Sequence, residues 1–178
     1  MTLLVAGTTW AVAGDALAAV PGRQGMEIEG PMDRRGFYIG AGAGAGVTFF
    51  GGREAAGFGR VDLALGGGVT KRFTLGVDVH FEPYFTNPVG FGIGGDIEGT
   101  GYVYRGFFLR GALGGLALPK AVDDNHFTAA IGGRAGLGYE FFLNATAAVG
   151  LSAEYDLRFV PNRGENHTGL LTIRFTWY

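Results

Sequence analysis

The chain lacks cysteine entirely. Disulfides, thiolate metal sites and cysteine nucleophiles are therefore excluded. It is also poor in charge, because Asp, Glu, Lys and Arg make up 17% of its 178 residues, against ~25% in average soluble domains. The net charge is −2 and no long basic run occurs, which argues against a nucleic-acid partner. A soluble domain needs a charged exterior, so the low charge indicates that something other than water covers much of this surface.

Glycine, by contrast, is abundant, with 35 residues where ~7% is usual. Hydrophobic residues make up 47% and aromatic residues 13% of the chain. That apolar content is too high for a disordered or linker-like chain. The length favours a single folded domain.

The N-terminal residues have the character of a targeting segment. They are small and apolar, and Ala16-Leu17-Ala18 forms the A-x-A pattern of a cleavage site. The basic start of a signal peptide is missing, so a helical or disordered tail stays as the alternative. The apolar run is too short for a transmembrane helix. We predict a signal peptide over residues 1–18 and a periplasmic linker rich in glycine and proline over residues 19–36.

Residues 37–178 alternate between apolar and polar side chains with period two, which is the pattern of β-strands. In Ala145–Arg158, for example, Val149 and Leu151 alternate with Ser152 and Glu154. Charged residues fall only on even positions of the predicted strands, which a helix period of 3.6 does not explain. The predicted strands are residues 37–49, 60–69, 73–82, 91–104, 107–118, 127–140, 145–158 and 168–178.

The connections between these strands alternate in length. Long ones are predicted over residues 50–57, 83–90, 119–126 and 161–167, and short ones over 70–72, 105–106 and 141–144. All prolines fall outside the predicted strands, as ladder hydrogen bonding favours. The pattern predicts an all-β fold, an eight-stranded antiparallel up-and-down barrel over residues 37–178, with long loops at one end.

Two barrels fit this pattern. A soluble lipocalin-like barrel turns its apolar face inward around a ligand, whereas an outer-membrane barrel turns its apolar face to lipid. The stretch GAGAGAG, residues 40–46, places glycine on the face that carries the charges. Small residues relieve crowding inside a barrel whose eight strands leave room only for side chains. This favours the charged face as the lumen and the membrane barrel as the fold.

Aromatic residues on the odd face support the same orientation. They gather at the two ends of the predicted strands with aliphatic residues between them, as expected of girdles at two bilayer interfaces. A soluble core with scattered aromatics is the alternative. The predicted girdle residues are Phe37, Phe73, Phe107, Tyr139, Phe141 and Trp177 at the short-turn end, and Phe49, Phe81, Phe91, Phe127 and Phe159 at the long-loop end.

The charged residues at even-numbered positions, which face the lumen in this orientation, predict a network of charges inside the barrel. Charges held away from bulk water must be paired and hydrogen-bonded. The network is predicted to contain Arg60, Asp62, Asp78, His80, Glu82, Asp96, Glu98, Arg110, Arg134, Glu140, Glu154, Asp156, Arg158 and Arg174. It serves either as a structural filling or as a narrow polar path. At the short-turn end Tyr38, Tyr102, Tyr104 and Phe108 are predicted to plug the space that Gly40, Gly42, Gly66 and Gly68 leave.

The strand count, the loop asymmetry, the signal-like start and the final Phe175-Thr176-Trp177-Tyr178 resemble the small eight-stranded outer-membrane proteins. These include the OmpA transmembrane domain and the OmpX, opacity-type and OmpW-like barrels. The resemblance implies a monomer in a Gram-negative outer membrane, with both termini periplasmic. It also implies contact with membrane lipid and lipopolysaccharide, recognition of the terminal aromatic by the barrel-assembly machinery, and surface ligands bound through the long loops.

Catalysis and cofactors find little support in the sequence. Asp78-x-His80-x-Glu82 lies on one predicted strand, but it faces the lumen, and scattered histidines do not have metal-ligand spacing. We expect no enzyme activity, no cofactor and no metal site. We predict an outer-membrane barrel with a structural or surface-interaction role and a plugged lumen. A narrow porin-like channel for ions or small solutes is the alternative, and a soluble lipocalin-like binding barrel is the third.

Overall fold

The computed structural model describes residues 34–50, 54–86, 90–119, 127–161 and 164–178. They form a closed antiparallel barrel in which each strand pairs with its sequence neighbours and β1 also pairs with β8. The predicted fold class is therefore confirmed. The strands are β1 Gly36–Phe50, β2 Glu54–Thr70, β3 Phe73–Tyr84, β4 Gly90–Tyr104, β5 Phe107–Pro119, β6 Phe127–Phe142, β7 Ala147–Val160 and β8 Gly164–Trp177.

The predicted signal peptide, residues 1–18, lies outside the described residues, as does the linker up to residue 33. Among the described residues no helix is long and apolar enough to cross a membrane.

Two of the predicted long loops are wrong in length. β2 already begins at Glu54 and β8 at Gly164, so most of the stretches 50–57 and 161–167 belong to strands. In β2 the alternation fades because Gly57 and Gly59 carry no side chain and because Phe58 is apolar on the inward face. In β8 it fades because the outward positions hold polar Glu165 and His167. The two ends of the barrel therefore differ less in connection length than the sequence predicts.

Two prolines also lie inside strands, contrary to expectation. Pro83 is the second-last residue of β3 and pairs with Phe91, and Pro119 ends β5 opposite Phe127. A proline at a strand end removes few ladder hydrogen bonds, so the sheet tolerates it there.

The strands turn their even-numbered side chains inward and their odd-numbered side chains outward. From Gly150 to Val160 in β7, buried even positions alternate with odd positions that are exposed or, at Leu157, half-buried. On the outer wall Leu113 is 72% exposed, whereas Arg60 in the lumen is 2% exposed. The wall thus presents apolar side chains to its surroundings and encloses the charged ones.

The inward glycines stand where neighbouring groups leave no room for a side chain. A Cβ on Gly42 would lie 2.5 Å from a carboxylate oxygen of Asp62, and one on Gly46 would lie 2.1 Å from the carbonyl oxygen of Gly169. Gly42 is also the register partner of both Asp62 and Arg174. The glycine repeat of β1 therefore lets large residues of β2 and β8 occupy the lumen beside it.

The space beside the glycines is filled from nearby strands, not across the barrel as predicted. The Tyr38 ring of β1 lies against Gly66 of β2, its hydroxyl reaches Gly76 of β3, and the Phe108 ring lies against Gly138. Tyr104 does not point inward at all, because a register shift between Tyr102 and Tyr104 turns it outward, where it is 67% exposed.

We predict that Gly46→Ala destabilises the barrel by ~1–3 kcal/mol, the usual cost of overpacking, because the new methyl group would overlap the Gly169 carbonyl. Urea unfolding of the protein refolded in detergent measures the free energy.

The matched control is Gly111→Ala on the outer wall, where a Cβ meets no atom within 4 Å. This change should leave the free energy of unfolding the same or raise it slightly, since alanine restricts the unfolded chain. Equal losses in the two variants would contradict the account of the inward glycines.

Candidate functional site

The candidate functional site is the lumen, which is filled in three layers. One end of the barrel carries the chain connections from β1 to β2 and from β7 to β8. An apolar cluster closes the interior at this end, and we call it the loop-end plug. Its members are Phe58, Tyr84, Leu116, Leu118, Ala130, Val160 and Leu170. Phe58 is 1% exposed, so the plug shields its ring from solvent.

The middle layer is an ion-pair network that crosses the barrel. Arg174 of β8 lies 2.7 Å from Asp62 of β2 and 3.0 Å from Asp78 of β3. Its other terminal nitrogen contacts Glu98 of β4 at 2.5 Å. One guanidinium thus joins four strands, and these contacts lie between strands that are not neighbours in the sheet.

Further arginines share the same carboxylates. Arg134 of β6 pairs with Glu154 at 3.1 Å and with Glu98 at 3.3 Å. Arg60 of β2 donates to Asp78 at 2.8 Å and to Glu82 at 3.2 Å. Asp78, Glu98 and Glu154 each contact more than one arginine, so these side chains hold each other in one arrangement.

The structure places all the predicted network residues in the lumen. Arg110 is half-buried and pairs with Glu154 at 3.0 Å, and the others are buried. Arg158 lies between Asp156 and Asp96, at 2.9 and 3.2 Å. Glu140 stands apart from the central pairs, at the opposite end from the loop-end plug.

A metal ion does not fit the carboxylates of the network. Asp78, His80 and Asp96 could supply ligand atoms within 4.8 Å of one another. Arg60, however, already lies 2.8 Å from Asp78 and 3.9 Å from Asp96, and Arg134 lies 3.6 Å from both. Two guanidinium groups occupy the positions of positive charge that a cation would need.

The third layer closes the end with the tight turns. Tyr38, Tyr102 and Phe108 are buried there, and Tyr178 reaches Glu140 with its hydroxyl at 2.8 Å. Arg34 inserts among them and is 2% exposed. The C-terminal end of the predicted linker, residues 19–36, is therefore part of the barrel.

Sequence reasoning missed both the loop-end plug and Arg34. The signal for the plug was present, since Leu116, Leu118 and Leu170 are apolar residues on even positions and break the alternation. Arg34 carries no such signal, because it precedes the first strand and its partner Glu140 lies far along the chain. A cavity of about 10 Å³ lies in the lumen beside Arg60, Arg158 and the loop-end plug. That is room for about one water molecule.

The predicted girdle residues lie on the outer wall wherever their side chains are described. Phe37 and Trp177 are exposed at the turn end, as are Phe49 and Phe159 at the other end. The side chain of Phe127 lies outside the described residues. Glu165 was expected between strands but belongs to the outer face of β8, where His167 contacts it at 3.5 Å.

Comparison with solved structures identifies barrels of the same architecture. The chain is similar to the Neisserial surface protein A, with 14% identity and a TM-score of 0.62 over 79% of this chain and 96% of that one. It also matches the N-terminal β-barrel domain of Pseudomonas aeruginosa OprF, with 11% identity and a TM-score of 0.47 over 78% and 97% of the chains. OprG of the same organism matches with 12% identity and a TM-score of 0.46 over 84% and 98%.

No protein-family model matches the chain, and no curated protein is similar to it in sequence. The structural comparison nevertheless confirms the resemblance to small eight-stranded outer-membrane barrels at the level of fold.

We predict that Arg174→Ala destabilises the barrel by about 3–5 kcal/mol, because removing one partner leaves buried carboxylates uncompensated. Chemical unfolding in detergent measures this loss. As a control, Lys71→Ala removes a positive charge from the exposed turn between β2 and β3, and it should change stability by less than about 0.5 kcal/mol. Similar effects in the two variants would show that the network adds nothing to stability.

Proposed function

We propose that the chain is an integral β-barrel of a Gram-negative outer membrane, with a closed lumen and a structural or surface-interaction role. The observation that carries this proposal is the inverted distribution of side chains. Arginines and carboxylates fill the interior, and leucine, valine, isoleucine and phenylalanine cover the exterior. In water this arrangement would expose the apolar residues and bury the charges, whereas in a bilayer both groups are well placed.

Closure of the sheet supports the same proposal. A bilayer offers no hydrogen-bond partners to the backbone, so a sheet can cross it only as a barrel without free edges. Here β1 pairs with β8 from Ile39 to Phe50, which removes the edges. The strands contain 12 to 17 residues, enough to cross a hydrocarbon layer that requires about 9–11 tilted residues.

Restricted access to the lumen supports the proposal of a role without catalysis. His80 is the buried histidine of the network, and its Nδ1 lies 3.0 Å from Asp78. Plugs at both ends separate this group from solvent, which argues against access by a substrate. We therefore propose that His80 and its neighbours serve the structure of the barrel.

The partners follow from placement in the membrane. We propose contacts with outer-membrane lipid and lipopolysaccharide on the outer wall, assembly by the barrel-assembly machinery, a monomeric state and periplasmic termini. Surface ligands would bind at the loop end, where β3 and β5 lead into the longer connections, residues 85–89 and 120–126.

A narrow channel for ions or small solutes is the second candidate. Its support is the polar network, which extends along the lumen from Glu82 near the loop-end plug to Glu140 at the turn end. Carboxylates outnumber arginines there, so an opened lumen would favour cations. The plugs and the crossing arginines argue that the resting barrel does not conduct.

We predict that Leu113→Arg destabilises the barrel by about 2–4 kcal/mol, the cost of an arginine at the bilayer midplane. Leu113 lies midway along β5 and points outward. Unfolding from lipid vesicles measures the free energy, and the same variant refolded without lipid tests the soluble lipocalin-like alternative.

The matched control is Leu143→Arg, which introduces the same charge in the turn between β6 and β7, where Leu143 is 55% exposed. A change near the interface should cost about 0–1 kcal/mol. A barrel that stays soluble without detergent and tolerates Leu113→Arg would overturn the membrane proposal.

We also predict that the refolded protein is silent in planar bilayers, with folding verified by its heat-dependent gel mobility. The physical reason is that three filled layers leave no continuous water path. A reproducible unitary conductance that changes in Arg134→Ala or Glu154→Ala would establish the channel instead.

A further inference from the structure

The chain before β1 folds back into the turn-end mouth of the barrel. Gly36 has a φ of +114°, a conformation that favours glycine and that redirects the chain at the start of β1. The segment then passes over Gly68, where a Cβ would lie 1.7 Å from the carbonyl oxygen of Arg34. A glycine at each of these positions permits the side chain of Arg34 to enter the lumen.

Arg34 lies in a cage of one carboxylate and two aromatic rings. Its Nε and Nη2 donate to Oε1 of Glu140 at 3.0 and 2.9 Å. Its guanidinium carbon lies 3.5 Å from the centre of the Tyr102 ring and 4.8 Å from that of Phe142. Aromatic faces and a carboxylate together attract a desolvated cation strongly.

The walls of this cage hold each other in place. Tyr102 donates to Oε2 of Glu140 at 3.0 Å, and Tyr178 donates to the same oxygen at 2.8 Å. The two tyrosine hydroxyls also lie 2.8 Å apart. Burial raises the pKa of the Tyr178 hydroxyl, so this hydroxyl keeps its proton and remains a hydrogen-bond donor. Because both tyrosines donate to Oε2 of Glu140, Oε1 remains available to Arg34.

We propose that Glu140, Tyr102, Phe142 and Tyr178 form a guanidinium-binding site in the turn-end mouth, and that Arg34 is its ligand in cis. The site couples the segment before β1 to β4, β6 and the end of β8. Occupation by Arg34 thereby ties the chain before the barrel to the seam where β1 and β8 close the sheet.

The geometry selects a guanidinium over an ammonium group. A flat cation can stack on the Tyr102 ring while two of its N–H groups point to one carboxylate, whereas an ammonium is a compact, strongly hydrated charge that cannot stack. The site would accordingly accept another guanidinium-bearing ligand once Arg34 is removed, and that exchange is measurable.

The experiment is chemical rescue of Arg34→Ala in the full chain refolded in detergent. The variant should lose its fold at a lower temperature than the unchanged protein, as seen in the heat-dependent gel mobility. Methylguanidinium should raise the unfolding temperature of the variant part of the way back, with an effect that saturates as its concentration increases. Methylammonium at the same concentration should not raise it. Should Arg34→Ala refold poorly, the yield of folded barrel with and without methylguanidinium provides the same comparison.

Three variants separate this site from a general effect of added cations. Lys71→Ala removes an exposed charge and should show neither the loss nor the rescue. Arg34→Lys should resemble Arg34→Ala, because lysine cannot stack and donate in the same way. The double variant Arg34→Ala, Glu140→Gln should not respond to methylguanidinium. An undiminished stability in Arg34→Ala, an equal rescue by methylammonium, or a rescue that survives Glu140→Gln would each overturn the proposal.

Discussion

The width of an eight-stranded barrel is the constraint on which the rest of the structure depends. Its interior accommodates side chains and no more, so every inward position affects its neighbours across the hydrogen-bonded ladder. A large residue on one strand requires a small residue beside it, and the pairs of Gly42 with Asp62 and of Gly46 with Phe58 show this rule. The inward glycines are therefore a packing requirement of the lumen, and they coexist with regular strands.

The same narrow space explains why the buried charges form one connected network. Each arginine that enters the lumen loses its hydration, and the loss is offset only where several carboxylates lie within contact distance. Arg174 and Arg134 approach Glu98 from different strands, so neither guanidinium can move without disturbing the other. The network thus acts as a set of crosslinks between strands that are not adjacent in the sheet. It adds specificity of register to a wall held together by backbone hydrogen bonds.

Much of this architecture could be predicted from the sequence, because period two identifies each strand and the side of each charge. The strand ends near Glu54 and Gly164 could not, since apolar Phe58 faces inward near the first and polar Glu165 and His167 face outward near the second. The individual ion pairs also escaped prediction, because they depend on the shear of the closed barrel and not on sequence spacing. Arg34 escaped for a different reason: its contact with Glu140 joins segments that no local pattern connects.

The two plugs differ in chemistry, and this difference bears on where the barrel can interact. The loop-end plug is held by apolar packing around Phe58 and Leu116, which excludes polar ligands from the lumen at that end. At the turn end, by contrast, the closing group is a cation on a segment that is not part of the sheet. Ligands at the loop end must therefore bind to the connections and to the ends of the strands. The longer connections there, residues 85–89 and 120–126, belong to the hairpins β3–β4 and β5–β6, which are neighbours because β4 pairs with β5. A surface role would accordingly be concentrated on the side of the barrel formed by β3 to β6.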